Sequence, residues 1–198
     1  MNRPAEDGWL EAAASGVLPE WTRAKPKRRA HMARVAALMD EWAGALQLNE
    51  TDRRRWRAAA WLHDTLRDAD QESLRPEVGA PFDTLPASFL HGPAAAARLE
   101  RAGAHDSDLL DAIRYHTLGD ARLGQLGLAL IAADYLEPGR PTQTLWRSTL
   151  RVRMPHAFDA VLREVVRDKL WRGLDRAYPL RPEMIALWNR LASDAHPS

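Results

Sequence analysis

Between Arg28 and Leu46 the apolar residues Val35, Leu38, Trp42 and Leu46 recur every three to four positions, and His31 falls on the same stripe. That is the period of an α-helix with one buried face, not the alternation of a half-buried strand. The pattern continues along the chain. Asn49 followed by Asp52 predicts a capped helix running through Trp56, Ala59, Ala60, Leu62 and His63 to about Leu66. His91-Gly92-Pro93 opens another, with proline in the first turn, where its missing N–H costs nothing, and that helix stops at Gly103. Asp106 or Ser107 caps a helix bearing Leu109, Ile113 and His116. Leu123 to Leu136 is strongly apolar, contains Asp134 and ends at Pro138-Gly139. Two or three more helices are expected, near 143–151, 157–172 and 181–193. No segment predicts a strand, so the fold class is all-α.

Residues 67–90 break the pattern, with prolines at 76, 81 and 86. This stretch predicts a loop with one short helix, and a loop this long in a compact domain is usually functional. The 198 residues suit a single domain, 1–198, able to bury a core unaided. The absence of cysteine removes disulfides, thiolate nucleophiles and Cys-ligated metals together, so a metal site must use imidazole and carboxylate. The acids Glu6, Asp7 and Glu11 and the lack of a long apolar run do not fit a secretory signal, and no stretch has the length of a membrane span, so a cytoplasmic location is expected. Net charge of +1 predicts no specific nucleic-acid binding. Two basic runs, Lys25, Lys27, Arg28, Arg29 and Arg53, Arg54, Arg55, Arg57, read as solvated helix faces; the first, just before His31, could instead approach an anionic substrate. The eight tryptophans mostly fit apolar helix faces, and each is assigned to core packing rather than base stacking.

Chemistry concentrates in His31, His63-Asp64, His91, His116 and Asp134, each in a helix or at a helix end. Neighbouring helix residues diverge by about 100°, so His63 and Asp64 can both ligate an ion lying between their directions. His31 and Asp134 would complete a shell of two imidazoles and two carboxylates with positions open for water and phosphate, and His91 and His116 would suit a second ion. Water on such an ion ionises near pH ~7 in the best zinc cases, which gives a hydroxide nucleophile. Asp134 lies among Ala132, Ala133 and Tyr135, where an ionised carboxylate is costly unless paired or metal-bound. The second His-Asp pair, His105-Asp106, reads as a capping turn, and His156 and His196 as surface residues.

Several longer strings then become recognisable: Arg29-Ala30-His31-Met32-Ala33-Arg34-Val35, Trp61-Leu62-His63-Asp64, Leu90-His91-Gly92-Pro93, Ala112-Ile113-Arg114-Tyr115-His116-Thr117, and Ala132-Ala133-Asp134-Tyr135-Leu136-Glu137-Pro138-Gly139-Arg140. Together they resemble the YqeK branch of the HD-domain superfamily, which contains symmetrical diadenosine tetraphosphate hydrolases. The resemblance implies an all-α HD-domain helical bundle with a metal-binding core over 28–140, preceded by an N-terminal segment, 1–27, and followed by additional C-terminal helices, 141–198. It implies metal ligation by His31, His63, Asp64, His91, His116 and Asp134. It also implies cleavage of diadenosine tetraphosphate to two ADP at a centre of one or two transition-metal ions of iron type, with manganese or zinc as alternatives. Arg67, Arg114 and Arg140, which follow or precede a ligand by two to six residues, are the candidate substrate contacts. Arg140 is the first choice for a phosphate clamp, because a planar donor fork matches phosphate oxygens. Thr117 could donate to the same phosphate, and Glu137 could orient a ligand or pair with Arg140. Arg67 stands near where the family commonly has lysine, which keeps the charge and changes its reach. The loop 67–90 could cover the nucleotide, and the N-terminal segment and the tail are candidates for a nucleoside pocket or a homodimer surface. The alternatives are another HD-type nucleotide phosphohydrolase, such as a 5′-nucleotidase or nucleoside-triphosphate hydrolase, and a low-turnover nucleotide-binding sensor.

Overall fold

The computed structural model describes residues 4–195, with side chains described from residue 8 onward. His196, expected at the surface, lies outside the described residues. Among the described residues there are nine α-helices, α1 (Pro4–Ala14), α2 (Pro26–Ala45), α3 (Glu50–Leu62), α4 (His91–Arg101), α5 (Ser107–Tyr115), α6 (Gln125–Leu136), α7 (Thr144–Arg153), α8 (Phe158–Asp175) and α9 (Pro182–Ala195), and no strand. The all-α expectation holds.

The packing follows from local sequence. Pro26 starts α2, and the helix buries His31, Val35, Leu38 and Trp42 of the predicted stripe together with Met32 and Met39, while Leu46, the last expected member, is half-buried just past its end. Asn49 caps α3 by accepting the Asp52 N–H at 2.9 Å, and Glu50 and Asp52 place negative charge in its first turn, where the helix dipole favours it. α6 is apolar on every side and buried almost throughout. A helix hydrophobic all round belongs at the centre of a bundle, and α6 packs against α2, α3, α5, α7 and α8.

Three details depart from the expectation. α1, which the periodicity did not pick out, packs on α3. α3 ends at Leu62 rather than near Leu66, because Thr65 Oγ1 donates to the Leu62 carbonyl at 2.8 Å and the Thr65 carbonyl accepts from Arg23 N–H at 2.7 Å, which pulls the chain out of the helix. Residues 67–90 form three short 3₁₀ turns, at Glu72–Glu77, Phe82–Thr84 and Ala87–Phe89. The first packs on α4, with Leu74 and Val78 buried and Glu77 paired to Arg98 and Arg101.

Tryptophan use is also mixed. Trp42 and Trp56 are core residues, and Trp9, Trp21, Trp61, Trp146 and Trp188 pack against the core, but Trp171 is 66% exposed. The expectation that it packs in the core is corrected: it lies on the side of α8 that the bundle leaves open. Of the tail helices, α8 lies on α6 and α9 on α8. Arg190 of α9 ties back to the Ala121 and Leu123 carbonyls at 2.6 and 3.0 Å.

Candidate metal centre

Two of the histidines owe their aim to helix ends. The last carbonyls of a helix lack intrahelical partners. His63 follows α3 and His116 follows α5, and each sets its Nδ1 2.7 Å from the carbonyl three residues back, Ala60 and Ile113 respectively. A carbonyl only accepts, so Nδ1 carries the hydrogen and Nε2 is left with a lone pair facing inward. This is the arrangement in which a partner on one ring nitrogen fixes the other for a metal. His91, the first residue of α4, brings its Nε2 to 3.1 Å from His116 Nε2. Gly92 allows this approach: a Cβ there would meet the Ile113 carbonyl at 2.7 Å and His116 Cε1 at 3.2 Å.

Asp64 sits in the middle. One of its oxygens, Oδ1, lies 3.3 Å from His91 Nε2 and 3.7 Å from His116 Nε2. The other, Oδ2, lies 3.6 Å from both His31 Nε2 and His63 Nε2. Two donor triads result, His31-His63-Asp64 and Asp64-His91-His116, all buried, with Asp64 common to both. Asp134 joins the first through His31 Nε2 at 3.1 Å. Ligand atoms about 2.1 Å from one ion at right to tetrahedral angles lie roughly 3.0–3.4 Å apart, and the closest of these spacings match. The buried Nε2 of His63 has no hydrogen-bond partner. An orphaned lone pair in a dry site is costly, and a cation would satisfy it. The residues present therefore suit one or two divalent ions.

The electrostatics divide the cluster. Burial pushes the pKa of His63 and of His91 down to about 4. Burial also works against a charge on His31, but the Asp134 and Glu137 carboxylates outweigh it and raise its pKa to about 9. Burial disfavours the Asp64 anion as well, yet the surrounding imidazoles hold its carboxyl well below the usual range. Asp134 is held low in the same way, against burial, by His31, His63 and Arg140.

The structure brings all six candidate ligands together. Of the candidate substrate contacts, Arg140 Nη2 donates to Asp134 Oδ1 at 2.7 Å, and Thr117 Oγ1 lies 3.5 Å from His91 Nε2. Arg67 Nη1 lies 3.4 Å from His91 Nδ1 while donating to the Ser88 carbonyl at 2.9 Å, which ties it to the 67–90 segment. Arg114 is not brought to the cluster, since its guanidinium pairs with Asp111 and with Glu100 on the outer side of α4 and α5. His105 and His156 are exposed, and Asp106 caps α5 and pairs with Arg55. Glu137 fills both roles weighed for it, at 3.3 Å from His31 Nδ1 and 3.6 Å from Arg140 Nε, and it also accepts from Arg34 Nε at 2.5 Å. Sequence reasoning did not single out Arg28, which donates to Asp64 Oδ2 at 2.7 Å; its place one helical turn before His31 was the available signal. Lys25, Lys27, Arg28, Arg34 and Arg140 border an open hollow of about 590 Å³ against His31 and Glu137.

An all-helical bundle with imidazole–aspartate triads meeting at a central His-Asp pair is the arrangement of HD proteins. The HD domain model matches residues 28–139, more than half of the chain, and the chain belongs to this family. Similar proteins include three named symmetrical bis(5′-nucleosyl)-tetraphosphatase. The one from Bacillus subtilis (strain 168) is 34% identical over 107 residues, covering 48% of this chain and 56% of the relative. The one from Staphylococcus aureus (strain NCTC 8325 / PS 47) is 32% identical over 120 residues, covering 58% and 60%. The one from Halalkalibacterium halodurans is 27% identical over 154 residues, covering 73% and 80%. The matched region thus spans less than two thirds of the first two relatives. A crystal structure from Clostridium acetobutylicum, described as a predicted HD superfamily hydrolase, superposes with a TM-score of 0.75 over 94% of this chain and 96% of that one at 23% identity, a likeness of fold. No helix among the described residues is long and apolar enough to cross a membrane.

Proposed function

We propose that this protein is a metal-dependent phosphohydrolase that splits dinucleoside polyphosphates, with diadenosine tetraphosphate cut symmetrically to two ADP. The observation that carries the reading is Asp64, whose two oxygens face different imidazole pairs, beside a hollow ringed by five cationic side chains. A divalent metal held by His31, His63, Asp64 and Asp134, with a second at Asp64, His91 and His116, would supply Lewis-acid polarisation and a water ionised at neutral pH. The protein's own side chains supply the rest. The basic rim draws a polyanion to the mouth. Arg28 and Arg140 carry guanidinium forks now spent on Asp64 and Asp134; a phosphate chain offers them equivalent oxygens at the same rim. Glu137 holds the His31 ring, and Arg34 in turn holds Glu137. Buried His63, His91 and His116 exclude bulk water from one side of the reacting phosphorus. The similar proteins named for symmetrical cleavage support the choice of substrate.

The test is product analysis. Metal-replete protein incubated with diadenosine tetraphosphate is expected to release ADP as its sole early product. ATP with AMP would refute symmetric cleavage, and tight nucleotide binding without turnover would favour a sensor.

A further inference from the structure

We infer that the cleft between α7 and α8 is an adenine-base subsite, walled by Trp146 and Trp171 and polarised by Asp168 and Gln143. The inference rests on the nucleotide reading above and extends it to the part of the substrate that the metal cluster cannot recognise. The cleft encloses about 270 Å³ and is lined by Gln143, Trp146, Glu164, Arg167, Asp168 and Trp171. Two indoles with a few fixed polar groups make the composition of a small-ligand pocket, not of a solvated surface. Glu164, Asp168 and Trp171 occur at helical spacing and share one face of α8. Trp171 is left 66% exposed at the rim, whereas the other tryptophans pack in or against the core.

The polar groups are held in place. Asp168 Oδ2 accepts from Arg172 Nε at 2.7 Å and from the Tyr135 hydroxyl. The Gln143 side chain is oriented by Arg172 Nη2, which donates to its Oε1 at 2.5 Å, and by Asp168, to which its amide donates, so one N–H of the amide is left for a ligand. Gln143 also adopts φ +53°, a left-handed conformation uncommon for a non-glycine residue and one that clusters at ligand sites. A carboxylate acceptor beside an amide donor complements adenine, which presents its exocyclic amine next to a ring nitrogen acceptor.

Placement connects this cleft to the metal centre. Tyr135, whose hydroxyl meets Asp168, directly follows Asp134. Lys169, next to Asp168, feels the charges of both Asp134 and Arg140 and sets its ammonium 5.8 Å from the Tyr135 ring. Gln143 is three residues from Arg140, and three residues span at most about 11 Å. A ribose and its phosphates cover a comparable reach, so a nucleotide with phosphate at Arg140 can lay its base between the indoles.

Calorimetry and tryptophan fluorescence on the full-length, metal-loaded protein test this, with ADP, IDP and pyrophosphate as probes. ADP is expected to quench tryptophan emission. Trp171→Ala should weaken ADP about 10–100-fold, the effect of losing one stacking face, and leave pyrophosphate unchanged; Trp171→Phe should restore most of the affinity. Asp168→Asn should erase the preference for ADP over IDP, which lacks the exocyclic amine. Equal weakening of ADP and pyrophosphate in Trp171→Ala, or no weakening of either, overturns the subsite. So does unchanged ADP affinity with altered sedimentation, which would mark the cleft as a contact between copies. Failure of the unmutated protein to bind any of the three probes would instead bring down the nucleotide reading itself.

Discussion

His31 and His91 are both buried imidazoles within reach of Asp64, yet in the metal-free protein the pKa of the first is raised to about 9 and that of the second lowered to about 4. The difference lies in what stands around each ring. His31 is backed by Glu137 and faced by Asp134, whose side chain is one-fifth exposed at the basic mouth. His91 is shut in by α4 and α5, with His116 and Asp64 opposite it and Arg67 behind it. The cluster therefore has an outer half, set by carboxylates and open to ligand, and an inner half, set by helix ends and closed. One residue type serves both because the fold supplies different neighbours.

Asp64 is the member the halves share, so removing its charge should have the largest effect. Asp64→Asn is expected to empty both sites, with metal per chain falling to background and activity on diadenosine tetraphosphate dropping by at least about 10²–10³-fold. His105→Ala, at the other His-Asp pair, should change neither metal content nor activity. Elemental analysis of the two variants side by side decides it, and metal loss in His105→Ala would mean the wrong dyad was chosen.

Gly92→Ala attacks the inner half alone. The added methyl meets a backbone carbonyl that cannot yield, so α4 and α5 must separate and His91 must leave His116. Overpacking of this kind costs about 1–3 kcal/mol, and the bound metal should fall toward one ion per chain. Unchanged stoichiometry in a destabilised protein would show that the halves do not bind separately. Glu137→Gln attacks the outer half from behind. It keeps the size and removes the charge that orients His31, and metal affinity should fall about 10–100-fold, the usual cost of losing such a partner. Competition with a fluorescent chelator reads this directly.

The two halves were not equally legible in the sequence. Helix periodicity and capping signals gave most of the helices because they depend on local spacing, while the six candidates came from their order along the chain and the strings around them. What spacing could not carry was which neighbour stands behind each ring. Glu137 lies more than a hundred residues from His31, and Arg114 looks as near to His116 as any arginine could, until helix α5 turns it outward to Asp111 and Glu100. Arg28 lay within a basic run that is ordinarily solvated. α1 was not singled out from the N-terminal segment, although it docks on α3. The end of α3 was misjudged because the pull on Thr65 comes from Arg23, forty residues upstream.

The smallest expected effect separates His31 from the neutral imidazoles, His63 of its own triad and His91 of the other, by pH in the chelated protein. For His63 and His91 the folded pKa lies near 4, below the ordinary 6.5. The stability they contribute by staying neutral is therefore complete above pH 6.5 and lost as pH falls toward 4. For His31 the folded value lies near 9, so its contribution is complete below pH 6.5 and lost as pH rises through 9. Thermal melts of metal-free protein should accordingly peak near pH 6.5, with a fall of a few degrees on either side. His31→Gln should flatten the alkaline side and leave the acid side in place, since of these imidazoles only His31 holds a proton there. If the alkaline fall survived in that variant, the charge on His31 would not be what distinguishes it from the neutral imidazoles.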